Sequence, residues 1–411
     1  MSPVEQFKKV IHTLATNWRE RLGLWPKEWE RELRAKAPFL WAHAASVGEA
    51  TLTLSLLGEL RQKVPWPFLV TTVTPQGLEV ASRGADLAIP APLDLRPVVR
   101  RFFDEIRPRG LLVAETELWP NLLGEARRRR VPTVLFNGRI SRKSFRRFMA
   151  FKPLFKRVLE GFTLILARSE EDAERLLHLG APAERVKVTG ELKLYHPRGP
   201  QSPLTTLREE LGLTEGHRLI VAGSTHPGEE EVILRAFKEL KGRFPDLRLL
   251  LAPRHVKRAD DVQSLAQKEG FTTTKRSSGG RGWDVMVLDT TGELKDLYAL
   301  ASVAFVGGSL IRGVGGHNLL EPLAHGKVVL FGPHVENFAP VADRVLQSGA
   351  GIQVKDGRHL EAIIEDLLTN PNKTKAMGAK GRHLMEEGER TMRMTVDSIL
   401  EVLPCTPGIT P

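Results

Sequence analysis

The chain has 411 residues, 41% of them hydrophobic and 27% charged, and sets 60 Lys and Arg against 49 Asp and Glu for a formal net charge of +11. That length supports two or three domains with sizeable cores, and this composition excludes a disordered chain. A single cysteine, Cys405, excludes an intramolecular disulfide and a cysteine metal cluster, and fits a reducing compartment.

Val4, Phe7, Ile11, Leu14, Trp18 and Leu22 recur at steps of three and four, with Lys8, Lys9, Arg19 and Arg21 between them, so residues 1–37 open on an amphipathic basic helix. Two roles fit this helix: packing on the domain body, or lying at a membrane interface with Trp18, Trp25 and Trp29 near the headgroups. No run approaches the roughly 18 consecutive apolar residues of a spanning helix, and no secretory signal is seen, so a cytoplasmic position is expected. From Pro38 the pattern becomes short apolar runs separated by helical stretches: PFLWAHA, PFLVTTV, LAIPAP, GLLVAET, PTVLFNG, FTLILARS and RVKVTG. Runs of this kind suit strands buried on both faces of a parallel sheet. The segment 195–203 has the Pro, Gly and Ser of a linker. A second series follows: HRLIVAGST, LRLLLAPR, WDVMVLDT, VAFVGGSL and KVVLFGP. The expected architecture is α/β, with two doubly wound, Rossmann-like domains facing a cleft over 38–196 and 204–411, joined by 197–203, and with C-terminal helices in the second.

Chemistry-bearing residues gather at the carboxyl ends of these strands. Glu49 follows the first strand at a helix start, where an acid is also an ordinary favourable charge. Glu115 and Glu117 leave another strand together; they share a face if the chain stays extended and diverge if a turn begins. Positive charge concentrates over Arg127–Arg130, Arg139, Arg142, Lys143, Arg146, Arg147, Lys152, Lys156 and Arg157, with few acids between, which suits an anion-binding surface or a solvated face. In the second half, Ser224, Thr225 and His226 end a strand, and Arg254 with His255 ends the next, where a guanidinium can grip a phosphate at two points. Gly307, Gly308, Gly313, Gly315 and Gly316, then His317, Asn318 and Glu321, read as a nucleotide site: amides of the loop and the following helix for phosphate, Glu321 for ribose hydroxyls. The absence of a Walker A sequence and of an early G-x-G-x-x-G disfavours a P-loop NTPase or a conventional NAD enzyme. A nucleotide on the C-terminal domain and a base on the N-terminal one is the arrangement of a GT-B glycosyltransferase.

In order along residues 38–340, HAASVGEA, TTVTPQG, AETELWPNL, NGRISRKSF, GELK, GSTHPGEE, PRH, TTGEL and GGHNLLEP closely resemble the motifs of the 3-deoxy-D-manno-octulosonic acid (Kdo) transferases of lipopolysaccharide assembly. The resemblance implies transfer of Kdo from CMP-Kdo to the lipid A precursor (lipid IVA), with inversion, no cofactor and no metal, at the cytoplasmic face of the inner membrane. It implies Glu49 as general base and Glu115 and Lys193 as transition-state stabilisers. It also implies CMP binding by Pro253 and Arg254, by Thr291, Gly292 and Glu293, and by Asn318, Leu319, Leu320 and Glu321. The chain departs from the family in three places: where a strongly apolar anchor is usual it has the amphipathic helix, so attachment is expected to be peripheral or weak, or the anchor to lie outside this sequence; it has Glu191 and Tyr195 beside Lys193 where Asn and Asp are usual; and it has an extra spacing residue with Leu319 in the glycine loop. The implied partners are the donor, the glycolipid and an anionic membrane surface, with no nucleic acid. The alternatives are a GT-B transferase using another activated sugar, or a non-catalytic protein that binds polyanions or acidic lipid.

Overall fold

The computed structural model describes residues 17–197 and 203–404. Two compact units divide the chain: one takes the residues up to Tyr195 and again from Arg390 onward, the other His196–Glu389. In the first unit, β1 (Leu40–His43), β2 (Phe68–Thr72), β3 (Leu87–Pro90), β4 (Gly110–Ala114), β5 (Thr133–Gly138), β6 (Leu164–Ala167) and β7 (Val186–Val188) form a parallel sheet in the order β3-β2-β1-β4-β5-β6-β7. Every residue of β1, β2, β4, β5 and β6 is buried, which is why these strands read as unbroken apolar runs. Alternation along each strand feeds two layers. Trp41, Leu111, Val113 and Leu135 pack with Phe102, Phe103 and Leu122 on one face, while Leu40, Ala42, Leu112 and Phe136 pack with Leu52, Leu56 and Leu57 on the other. Wholly buried side chains such as Trp41 and Phe102 each stabilise the unit by about 2–3 kcal/mol.

Both ends of the chain depart from the sequence expectation. The first core begins before residue 38: Trp25 is 6% exposed, its ring meets Phe102 edge-on at 4.6 Å, and Leu33 of the helix Lys27–Lys36 is fully buried. Trp25 is therefore a core residue and not a headgroup anchor, and 27–36 belongs to the first unit. Trp18, in the short helix Trp18–Arg21, is 52% exposed; the part of the expected helix before residue 17 lies outside the described residues, as do residues 198–202 of the linker. At the other end, the helix Pro371–Val402 starts in the second unit and finishes in the first. Met392, Val396, Ile399 and then Leu403 recur at helical spacing and complete the layer around Leu40 and Ala42. Leu403 lies so close over β4 that a Cβ at Gly110 would stand 2.5 Å from its side chain.

In the second unit, β8 (Arg218–Thr225), β9 (Leu247–Pro253), β10 (Thr273–Lys275), β11 (Val285–Val287), β12 (Val303–Val306), β13 (Val329–Phe331) and β14 (Gly351–Gln353) form a parallel sheet ordered β10-β11-β9-β8-β12-β13-β14. The five apolar runs of the sequence become β8, β9, β11, β12 and β13. The two edge strands, β10 and β14, are short and mostly half-buried, so no apolar run announces them. Strand order reverses between β1 and β4 in one sheet and between β8 and β12 in the other. At such a switch the loops leaving the strands' carboxyl ends diverge and open a crevice. Among the described residues no helix is long and apolar enough to cross a membrane.

Candidate active site

At the β1/β4 switch, Ser46 caps the helix Val47–Leu60, and Glu49 is its third residue. The Glu49 carboxylate reaches back to accept from the Ala45 amide (2.8 Å) and the Ser46 hydroxyl (2.9 Å), satisfying donors that a helix start leaves open. Glu49 thus also serves the helix start, and these bonds fix the carboxylate without consuming all its lone pairs. Burial raises the Glu49 pKa, helped by the Glu115 charge and opposed by the Ala45 and Ser46 hydrogen bonds and by Lys193. A base with a raised pKa accepts a proton more strongly near neutrality.

Glu115 follows β4 directly with φ +49°, a left-handed conformation that costs a non-glycine residue energy and is retained where the surroundings over-determine it. Two cations hold it: Arg139 Nε lies 2.7 Å from one carboxylate oxygen and Lys193 Nζ 2.6 Å from the other, the latter off the direction of a hydrogen bond. Lys193 sits in the turn Leu192–Leu194, which is fixed because the Leu192 amide donates to Asn137 Oδ1 at 3.1 Å; Asn137, at the end of β5, is also left-handed at φ +50°. The departures beside Lys193 have partners too. Glu191 faces Arg168 at 3.4 Å and accepts from the Lys193 amide, and the Tyr195 hydroxyl donates to Glu59 at 2.6 Å.

A turn does begin at Glu115, since the Glu117 amide donates to Ala114, yet Glu117 stays in the site. Its carboxylate accepts from Trp119 Nε1 at 2.8 Å, and burial, then the charges of Glu49 and Glu115, push its pKa up to about 7. The Trp119 ring stands edge-on to His43 at 4.5 Å. His43 is fully buried and its pKa is pushed down to about 3 by burial and Arg21, so it is a neutral wall of the site. Sequence reasoning named Glu117 only as the partner of Glu115 and Arg139 only within the basic cluster, and it missed Asn137. The signals were present in the two-residue spacing of Glu115 and Glu117 and in the Asn-Gly-Arg at the end of β5.

At the β8/β12 switch the geometry revises the sequence reading. The glycine loop after β12 does not offer its first amides to a phosphate. Gly308, Ser309 and Leu310 donate at 2.7–3.0 Å to Glu229, which also accepts from the His226 amide at 3.0 Å. Glu229 is wholly buried and fills this nest as an internal anion. The open positive groups lie beside it. Arg254 is exposed after the buried Pro253, with no carboxylate in ion-pair distance among the described residues. Asn318 Oδ1 accepts from the Leu320 amide (3.0 Å), and its Nδ2 donates to Glu321 (3.4 Å). Burial raises the Glu321 pKa against the pull of Asn318, Arg254 and Lys295, so these groups share one neighbourhood. Glu321 is the second residue of the short helix Leu320–Ala324, closer to its start than expected. Leu319 and Leu320 have buried side chains and present only backbone. Thr291 and Gly292 (φ +90°) form an exposed turn, whereas the Glu293 carboxylate is taken by Arg276 at 2.8 Å.

The basic surface of the first unit is partly neutralised. Arg127 faces Glu160, Arg128 and Arg129 face Glu125, Arg139 faces Glu115 and Arg142 faces Glu171. The Arg128 and Arg129 guanidiniums hold the Glu125 pKa down at about 2. Lys143, Arg146, Arg147, Lys152, Lys156 and Arg157 have no such partner among the described residues, and Phe151 (64%) and Leu154 (49%) are exposed among them.

Two Rossmann-like parallel sheets, one with the Glu49, Glu115 and Glu117 carboxylates at its switch point and the other with Arg254 and Glu321, have the architecture of the GT-B glycosyltransferase class. The UDP-GlcNAc 2-epimerase of Neisseria meningitidis shares the fold, with a TM-score of 0.54 at 15% identity over 88% of this chain and 99% of that one. The sequence model of the 3-deoxy-D-manno-octulosonic-acid transferases (kdotransferases) matches residues 16–196. The 3-deoxy-D-manno-octulosonic acid transferase of Chlamydophila psittaci is 32% identical over 97% of this chain and 92% of its own. That of Haemophilus influenzae is 34% identical over 87% of this chain and 86% of its own. The chain belongs to the Kdo transferase family.

Proposed function

We propose that this enzyme transfers Kdo from CMP-Kdo to lipid IVA with inversion, at the cytoplasmic face of the inner membrane and without a metal. The observation that carries the reading is the convergence of Glu49, Glu115 and Lys193 at the β1/β4 switch, with Glu49 half-buried and raised in pKa. Glu49 removes the proton of the acceptor hydroxyl as that oxygen attacks the anomeric carbon. The bond from that carbon to phosphate oxygen breaks on the opposite face, and CMP leaves with the electron pair. Attack opposite the leaving group is what inverts the centre. Glu115, held by Arg139 and Lys193, faces the positive charge that develops on the sugar, and the remaining Lys193 N–H donors suit the carboxylate of an ulosonic acid. On the donor side Arg254 meets the phosphate charge, so a protein cation takes the task a metal performs in other transferases.

The unpaired cations around Lys152, with Phe151 and Leu154 exposed among them, support an anionic, phosphorylated and partly apolar acceptor surface. The test is mass analysis of the glycolipid after incubation with CMP-Kdo and lipid IVA. The reading expects a mass gain of one or more Kdo residues. An unchanged lipid, together with binding of UDP in preference to CMP by calorimetry, would replace it with a transferase of another activated sugar.

A further inference from the structure

His226 follows β8 and His317 follows the glycine loop after β12, so two imidazoles from neighbouring strands meet at the switch point of the second sheet. Their Nε2 atoms are 2.8 Å apart, the ring centroids 5.1 Å apart and the ring planes 9° apart. That centroid distance is as long as two imidazoles touching through Nε2 can reach. Both nitrogens therefore lie on the line of centres and the rings share a plane, which is the geometry of a linear N–H···N bond and not of face-to-face stacking. The backbone is shaped to allow it: Gly308 has φ +67°, and a Cβ there would stand 2.9 Å from the His317 ring. The His226 amide is pinned by Glu229.

Such a pair has fixed proton arithmetic. Only one Nε2 can carry hydrogen, so the accepting ring holds its own proton on Nδ1 and the donating ring has a bare Nδ1, where one further proton can be added. We propose that His226 and His317 act as one proton-sharing unit that takes up a proton from solvent when the donor's phosphate binds beside Arg254 and returns it when CMP leaves. This rests on the reading of the second unit as the CMP site. Unliganded, the pair is held neutral: burial, then His226, Arg254 and His255, lower the His317 pKa to about 4. Burial, His255 and Arg258 also lower that of His226 against the charges of Glu229 and Glu230. Phosphate reverses the balance by adding opposite charge where cations now repel, one negative charge in the donor's diester and a second as CMP becomes a monoester. The added proton places a second positive charge beside the leaving group as its negative charge grows.

Calorimetry of CMP binding to the full chain at pH 7, in two buffers of different ionisation enthalpy, tests the proposal. It expects net uptake of about half a proton or more per CMP, with affinity weakening up to about tenfold per pH unit above neutrality. Ionisation of the phosphate itself would release protons, the opposite sign. His226→Gln and His317→Gln should each bind CMP without uptake. Zero uptake or release in the wild-type protein, or uptake persisting in both variants, overturns the pair's role while leaving CMP recognition standing. Absence of CMP binding overturns both.

Discussion

The first strand of each unit is followed by the same local pattern, a turn and then Gly-Glu at a helix start, Gly48-Glu49 in one and Gly228-Glu229 in the other. Their fates differ. In the first unit Ser46 is the cap and Glu49 is the third helical residue, so its side chain curls back over the helix end and stays half-buried at the switch point. In the second, Gly228 is itself the cap at φ +93° and Glu229 the first helical residue, which turns its carboxylate inward onto three amides of the glycine loop. A two-residue difference in where the helix starts leaves one carboxylate at the crevice and makes the other a structural anion. The first crevice is left with carboxylates, Glu49, Glu115 and Glu117, and the second with His226, His317 and Arg254. On the proposed reading, the first supplies the proton acceptor and the second the anion receptor, the division of labour that glycosyl transfer from a nucleotide requires.

The comparison breaks most sharply at Glu49. Glu49→Gln keeps an acceptor for the Ala45 amide and turns an NH2 donor toward the Ser46 hydroxyl, but it cannot take a proton, and should lower the transfer rate about 10²–10⁴-fold in a single-turnover assay. Lys193→Met removes one of the two cations on Glu115 and should cost about 10²-fold in kcat with a smaller change in CMP affinity. Arg254→Ala acts on the other unit. Loss of a charge-assisted contact should weaken CMP binding by about 1.5–3 kcal/mol in calorimetry, and unchanged affinity would show that the phosphate lies elsewhere.

Glu117 sharpens the contrast through stability. Its folded pKa of about 7 lies above the ordinary 4.5, so its contribution to folding is full below that ordinary value and is lost as pH rises through 7. Glu117→Gln should therefore stabilise the protein above pH 7, by up to about 3 kcal/mol, and change little at pH 4. Urea melts at the two pH values decide it.

Much of this was legible in the sequence because burial on both strand faces leaves an unmistakable apolar run, and because strand ends are where ordered motifs fall. All seven strands of the first sheet stand inside runs read from the sequence. What stayed hidden depended on partners distant in the chain. Nothing local says that Glu229 will fill the nest after β12, 79 residues on, or that Glu293 will be spent on Arg276. Nor does any local signal show that the stripe through Met392, Val396 and Ile399 will close the first core and not the second. Glu117 was visible as a neighbour of Glu115, but its shifted acidity arises from burial beside Glu49, which only the fold supplies.

The division of labour can be tested on one protein. In Glu49→Gln, CMP affinity by calorimetry and the single-turnover rate of Kdo transfer should separate: affinity within about twofold of wild type and the rate reduced about 10²-fold or more. CMP affinity that falls in step with the rate, or a rate that survives the substitution, would contradict the assignment of base and anion receptor to different units.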